Sequence, residues 1–309
     1  MIELSEDEVR QRLDPARLIA AIETAFRDRL PSVTVPVRTQ VNTSEGVFLI
    51  MPCHDRSGNT LGMKLVVVQN NPARAEDRVQ ATYMLLDPET GSPRLLLSAK
   101  YLTDLRTAAT SAVATKFLAR EDARVLGVFG TGRQARAHLQ VLPLVGHFER
   151  VLVCGKDFGK AREFARTVSA ELRLPTEATD SRTCAAESDV ICTCTTSQVP
   201  LFDGNLLRPG THLNLVGTFQ PQAREVDSTT VKRARVVVDT YDGALAEAGD
   251  LLIPMGEGRI GRDHIVADLH ELVSGKKTVR SDPGELRLFK SVGCALEDLV
   301  AAEMLMAAC

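Results

Sequence analysis

A glycine-rich stretch, Gly127-Val-Phe-Gly130-Thr-Gly132-Arg-Gln-Ala135, could bind an anion. A strand-like run, residues 124 to 129, leads into this stretch and a helical pattern leaves it. In that setting Gly130 permits a tight turn, Gly132 lets backbone N–H groups approach an anion, and Ala135 keeps helix and strand close. A helix N-terminus adds unpaired N–H donors and a partial positive charge, which suit phosphate oxygens. A lone G-x-G-x-x-A arises in many loops. Followed by a second strand, RVLVC, within about thirty residues, it reads as the pyrophosphate cradle of a dinucleotide site.

The end of that second strand selects the dinucleotide, because a carboxylate there accepts hydrogen bonds from the adenine ribose. The chain reads Val151-Leu-Val-Cys-Gly155-Lys156-Asp157. Gly155 stands where the acid is expected, Lys156 follows, and Arg133 lies in the glycine loop. Two cations suit a 2′-phosphate, so NADP(H) is favoured. NAD(H) is the alternative, carried by Asp157 if the register shifts by one or two residues.

The elements that position this loop divide the chain. Ser5 with Glu8 forms a capping box, and Asp14-Pro15 opens a helix expected over about 16–30. From Val37 to Ser98 short β-rich runs alternate with turn signals, which predicts an antiparallel or mixed sheet. Residues 101 to 120 have helical spacing and read as a long connecting helix. From Arg124 strand and helix alternate, and the runs DVICTCT, HLNLVG and ARVVVD are nearly continuous in apolar residues, as in a doubly wound parallel sheet. After Asp239 the pattern weakens into loop and short helix, and residues 289 to 308 read as one packed helix.

Composition sets the outer bounds. A chain of 309 residues predicts roughly two domains. Hydrophobic residues at 44% and charged residues at 25% are globular values, and the formal net charge of −3 argues against nucleic acid or anionic lipid as a partner. The acidic N-terminal stretch lacks a signal-peptide core and no run approaches the ~18 apolar residues of a membrane span, so a cytoplasmic protein is expected. The seven cysteines have no paired C-x-x-C spacing and read as reduced thiols, and no metal site is expected. The six histidines read as surface residues, with His212 set apart because it precedes a strand that ends at the cofactor.

Several ordered segments together resemble the ornithine cyclodeaminase and μ-crystallin family, which includes archaeal-type alanine dehydrogenases and ketimine reductases. They are Pro36-Val-Arg38-Thr, Met63-Lys64-Leu, Arg106-Thr-Ala-Ala-Thr-Ser111, Gly130-Thr-Gly132-Arg-Gln134-Ala, Leu215-Val-Gly217 and Phe289-Lys-Ser291-Val-Gly293, ending in Ala295-Leu-Glu-Asp298. The resemblance implies an α+β substrate-binding and dimerisation domain, residues 1–118 plus 286–309. A Rossmann domain, 119–285, would be inserted in it. It also implies a homodimer paired through the N-terminal sheets. Arg38, Lys64 and Arg106 would gather around a substrate carboxylate near the nicotinamide, a task for which guanidinium forks and an ammonium are suited. Thr82, Thr131, Gln134, Thr195, Val216, Gly217 and Ser291 would line the dinucleotide. Asp298 reads as a structural acceptor.

Two departures from the cyclodeaminase pattern redirect the chemistry. Leu49 replaces a glutamate in the strand before Met51-Pro52, and Phe219 replaces an aspartate two residues beyond Val216-Gly217. Oxidising an amino acid requires a base for its ammonium proton, and that base is missing. Reducing a preformed imine needs only hydride delivery, orientation and one proton. The expected activity is therefore NADPH-dependent reduction of cyclic imino acids, Δ1-pyrroline-2-carboxylate to proline or its six-membered homologue to pipecolate. Lys64, a bound water or Thr218 would supply the proton. One alternative is an ornithine cyclodeaminase recruiting Asp227, Glu225 or Asp104 as base. Another is a μ-crystallin-like protein that binds NADPH without turnover.

Overall fold

Two patterns of apolar residues run along this chain, and each builds its own sheet. The computed structural model describes residues 1–70, 78–280 and 282–309. One unit comprises Met1–Thr107 and Cys294–Cys309, the other Ala108–Gly293. In chain order the elements begin with β1 (Ile2–Leu4), α1 (Glu6–Arg12), α2 (Pro15–Thr24), β2 (Val33–Thr34), β3 (Thr39–Thr43), β4 (Gly46–Asp55), β5 (Thr60–Gln69), β6 (Val79–Leu86), β7 (Pro93–Ser98) and α3 (Lys100–Leu118). They continue with β8 (Val125–Phe129), α4 (Arg133–Val141), β9 (Arg150–Cys154), α5 (Phe158–Leu172), β10 (Thr176–Ala178), α6 (Ser181–Glu187), β11 (Val190–Thr193), β12 (His212–Leu215), α7 (Ser228–Arg233) and β13 (Ala234–Val238). The last are α8 (Tyr241–Glu247), α9 (Gly249–Gly256), β14 (Ile265–Asp268), α10 (Leu269–Val273), β15 (Leu286–Lys290) and α11 (Ala295–Ala307).

The first unit carries a mixed sheet in the order β1-β7-β6-β5-β4-β2, with β3 also paired to β4. Strands β4 to β6 alternate buried and less buried residues, so one face is covered. The covering element is α11, which packs on β4, β5 and β6 and against α2. Antiparallel register sets Met51 opposite Lys64 and Lys64 opposite Tyr83, all on the covered face. The expected helix over 16–30 is α-helical only to Thr24. A π-helical turn, Ala25–Arg29, and a 3₁₀ turn, Leu30–Ser32, complete it. The wide turn ends where Arg29 is gripped by Asp55 and Glu303 at 2.6 and 2.8 Å, and Pro31 has no N–H with which to continue the ladder.

The second unit is a parallel sheet in the order β10-β9-β8-β11-β12-β15-β13-β14. Its central strands are buried on both faces, β8 and β11 as nearly apolar runs and β12 and β15 with His212, Asn214, Arg287 and Lys290 buried among apolar residues. β8 lies between β9 and β11, so the chain leaves β8 at the topological switch point, where such sheets bind ligands outside their carboxyl ends.

Two expectations are corrected here. Phe289 and Lys290 belong to a strand, because Leu286–Lys290 fills the slot between β12 and β13, and the helix begins only at Ala295, after Gly293 at φ 94°. The two compact units divide the chain at Thr107/Ala108 and Gly293/Cys294, near the expected 118/119 and 285/286. The chain after Asp239 is also more regular than expected, forming α8, α9, β14 and α10.

Candidate active site

On the covered face of the first sheet, positive charge collects. Lys64 projects from β5 and Arg106 from α3, and both are almost fully buried. Lys64 Nζ donates to Asp298 Oδ1 at 2.7 Å. Arg106 donates to Glu297 Oε2 at 2.6 Å, and its Nε lies 2.9 Å from the same Asp298 Oδ1. Both acids sit in the first turn of α11, where the helix dipole favours anions, and Glu297 Oε1 also accepts the Cys294 N–H at 3.0 Å. Arg38 is half-buried just before β3. The pairing of Thr39 with Ile50 puts it beside Met51, the cross-strand partner of Lys64.

These surroundings set the protonation states. Burial and the Arg106 charge pull the Lys64 ammonium down to about 8, with Arg38 adding to the effect and Asp298 opposing it. Burial works against the Arg106 charge, but Asp298 and Glu297 outweigh it and hold the guanidinium charged. Lys64 and Arg106, with Arg38 acting on Lys64 from further off, bring the positive charge to this cluster, and Asp298 and Glu297 the negative. The Tyr83 hydroxyl and Asp298 Oδ2 are buried without hydrogen-bond partners among the described residues. A polar ligand or water would satisfy both. Leu49, 2% exposed, occupies the same face.

In the second unit the glycine loop has the geometry its spacing predicts. Gly130 has φ 116°, and a Cβ there would lie 2.5 Å from the Cys194 carbonyl oxygen. Gly132 caps α4 without a side-chain hydrogen bond, and a Cβ at that position would meet nothing within 4 Å. Open ground therefore lies at the N-terminus of α4, and the residues fit a pyrophosphate. Thr131 precedes the cap, and Arg133 and Gln134 are the first residues of α4. β9 ends at Cys154, so Gly155 and the exposed Lys156 follow it directly. Asp157 caps α5, accepting the Lys160 N–H at 2.9 Å, so its carboxylate is committed to a helix.

Thr195, Val216, Gly217 and Ser291 all stand on segments leaving the carboxyl edge of the parallel sheet, after β11, β12 and β15. Thr82 belongs to the first unit, and the pleat turns it to the face opposite Tyr83 and Lys64. Of the alternative bases, Asp227 caps α7 and Asp104 lies half-buried on α3. Glu225 spends both oxygens on four donors. Phe219 packs against the core of the second unit.

Two histidines are corrected from surface residues to core. His138 bonds Ser111 and the Gln134 carbonyl, and His212 bonds Thr115, Asn214 and the Arg287 carbonyl. Burial pushes both down to about 4, so they are neutral polar core groups. Among the described residues no three acidic, histidine or cysteine side chains gather as metal ligands, and no helix is long and apolar enough to cross a membrane. Sequence reading missed the buried charges behind the sheet edge, Asp239, Asp250 and Lys290. Their one sequence signal is a charge set inside or directly after an apolar run, as in Phe289-Lys290.

The profile of the Ornithine cyclodeaminase/mu-crystallin family matches residues 1–308. A Delta(1)-pyrroline-2-carboxylate reductase of Bacillus cereus is 34% identical over 99% of this chain and 95% of its own. The ketimine reductase mu-crystallin of Rattus norvegicus is 34% identical, covering 97% and 95%. Among solved structures, Thermococcus litoralis Delta(1)-pyrroline-2-carboxylate reductase in complex with NADH and L-proline superposes with a TM-score of 0.95. It is 36% identical and covers 99% of this chain and 97% of that one.

The shared oxygen of Asp298 makes a direct stability test. Asp298→Ala leaves Lys64 and Arg106 buried against each other, and truncating one partner of a buried pair costs about 3 kcal/mol or more. Urea unfolding at neutral pH should show that loss. A change below about 1 kcal/mol would mean that Asp298 does not hold the cluster together.

Proposed function

The chain belongs to the ornithine cyclodeaminase/mu-crystallin family, and on that premise we propose that it is an NADPH-dependent reductase of cyclic imino acids, converting Δ1-pyrroline-2-carboxylate to proline or the six-membered homologue to pipecolate. The observation that carries this reading is Lys64, a buried ammonium brought to about 8 beside two guanidinium groups, on a face where Leu49 replaces a carboxylate. Such a face holds a carboxylate ligand and supplies a proton, and it lacks a second base for deamination. The names of the B. cereus and rat relatives and the proline in the T. litoralis structure support the same substrate class.

A bound reduced nicotinamide supplies the hydride for C2 of the imine. The chain's own residues do the rest. Gly130, Thr131 and Gly132 with the α4 N-terminus hold the pyrophosphate, and Thr195, Val216, Gly217 and Ser291 border the same sheet edge. Arg38 and Arg106 grip the substrate carboxylate, with Arg106 already oriented by Glu297 and Asp298. Lys64 Nζ gives its proton to the ring nitrogen as the C=N bond becomes CH–NH, and the neutral amine regains a proton from solvent. Asp298 orients Lys64 while leaving it acidic enough to donate near neutral pH. Exposed Lys156 and half-buried Arg133 favour the 2′-phosphate of NADPH, and Asp157 is withdrawn into its cap. The proposed active form is a homodimer. The outer face of the first sheet, which carries exposed Val41 and Val67 and a groove lined by Phe48, Leu65 and Thr82, suits that pairing.

A panel of Δ1-pyrroline-2-carboxylate, Δ1-piperideine-2-carboxylate and ornithine tests the assignment. Expected are NADPH consumption with a cyclic imine, the matching imino acid as product, and kcat/KM with NADPH at least about tenfold above NADH. Ammonia and proline formed from ornithine would overturn the reaction assigned. Equal use of the two coenzymes would overturn the role given to Lys156.

The proton donor has its own test. Raising pH removes the Lys64 proton, so kcat/KM for reduction should be flat below about 8 and then fall about tenfold per pH unit. Lys64→Met should lower kcat by about 10²–10⁴-fold and abolish that limb. An unchanged profile in the variant would assign the proton to another group.

A further inference from the structure

Behind the carboxyl edge of the parallel sheet lies a buried charged network that the proposed mechanism does not use. Glu225 is at its centre, fully buried. Its Oε1 accepts the Thr195 N–H at 2.9 Å and the Thr195 hydroxyl at 2.6 Å. Its Oε2 accepts the Gly217 N–H at 2.8 Å and the Thr193 hydroxyl at 2.7 Å. One carboxylate thus ties together the chain leaving β11 and the chain leaving β12.

The anchor is itself anchored. Asp250 Oδ1 accepts the Glu225 N–H at 2.7 Å and the Val226 N–H at 3.2 Å. Its Oδ2 lies 2.9 Å from Lys290 Nζ, and Lys290, the last residue of β15, donates to the Thr218 carbonyl at 2.7 Å. The loop 216–218 is therefore held at Gly217 by a carboxylate and at Thr218 by an ammonium. Gly217 has no alternative, since a Cβ there would collide with Glu225 Oε1 and the Thr195 backbone. Burying three charges is costly, and a core of apolar residues would hold the strands as well. What an apolar core cannot do is fix two loop backbones by several directed hydrogen bonds.

We propose that Glu225 is a positioning residue for the nicotinamide dinucleotide, holding Thr195 and Gly217 in the arrangement that receives it, with Asp250 and Lys290 as its supports. The inference rests on the dinucleotide reading of this edge. It assigns Glu225 no proton transfer, in contrast to a base recruited for deamination.

The chemistry of the site selects the variants. In Glu225→Gln one oxygen becomes an NH₂ group, and in either amide orientation it faces a backbone N–H, of Thr195 or of Gly217, that cannot reverse its polarity. Thr193→Val removes a single hydroxyl donor at nearly constant shape, and Thr193→Ser restores it. Thr193 is not among the residues expected to border the dinucleotide, so any effect it has passes through Glu225. The measurement is the dissociation constant of NADPH and of NADH for the full chain, by coenzyme fluorescence without imino acid, alongside the melting temperature.

Glu225→Gln should weaken both coenzymes at least about tenfold, Thr193→Val about three- to tenfold, and Thr193→Ser less than about twofold. Thr193→Val covers the case in which Glu225→Gln does not fold. Wild-type affinity in folded Glu225→Gln and Thr193→Val, whatever their melting temperatures, would overturn the proposal and leave the network a purely structural one. A wild-type chain that binds neither coenzyme would remove the dinucleotide reading itself. Binding without turnover of any imine would instead contradict only the substrate assignment.

Discussion

Lys64 on β5 and Arg106 on α3 are buried together and repel each other, and the two carboxylates in the first turn of α11 are what let both remain there. Asp298 Oδ1 is shared between Lys64 and Arg106, and Glu297 takes a second bond from Arg106. That constraint reaches into the fold. The helix that carries both acids comes from the far end of the chain, yet it must lie on β4, β5 and β6, so the first unit is discontinuous. It also sets the chemistry, because the acids neutralise enough charge for burial and leave Lys64 poised to lose its proton near neutral pH.

The parallel sheet uses a different device for the same purpose. A dinucleotide edge needs loop backbone in fixed positions, and loops left to themselves do not hold it. Glu225 fixes Thr195 and Gly217, Lys290 fixes Thr218, and Asp239 accepts from the Ser291 hydroxyl and the Val292 and Gly293 N–H groups at 2.7 to 3.0 Å. Each of these charges is buried behind the edge and spends its hydrogen bonds on the chain.

Much of this was legible in the residues themselves. The glycine loop could be read because each of its positions has one physical job, and the apolar runs of β8, β9, β11, β12 and β13 could be read because strands buried on both faces tolerate little else. Arg38, Lys64 and Arg106 were legible only through the motif series, since each alone is an ordinary surface cation. β15 escaped because its Arg287 and Lys290 break the apolar run, and periodicity cannot show that both are buried against carbonyl groups. His138 and His212 escaped for a related reason: a neutral imidazole with two acceptor or donor partners is a satisfactory core residue, and nothing local announces its partners. The buried acids are long-range features, joined to their partners across tens or hundreds of residues.

The central claim is that a carboxylate-anchored cyclic imine takes a hydride at C2 and a proton at nitrogen. The most direct measurement is the mass and position of label in product formed from Δ1-pyrroline-2-carboxylate and NADPH deuterated at the transferring position of the nicotinamide ring. The account predicts proline carrying one deuterium, bonded to C2. Unlabelled proline, or coenzyme left unoxidised in the presence of the imine and folded protein, would contradict it.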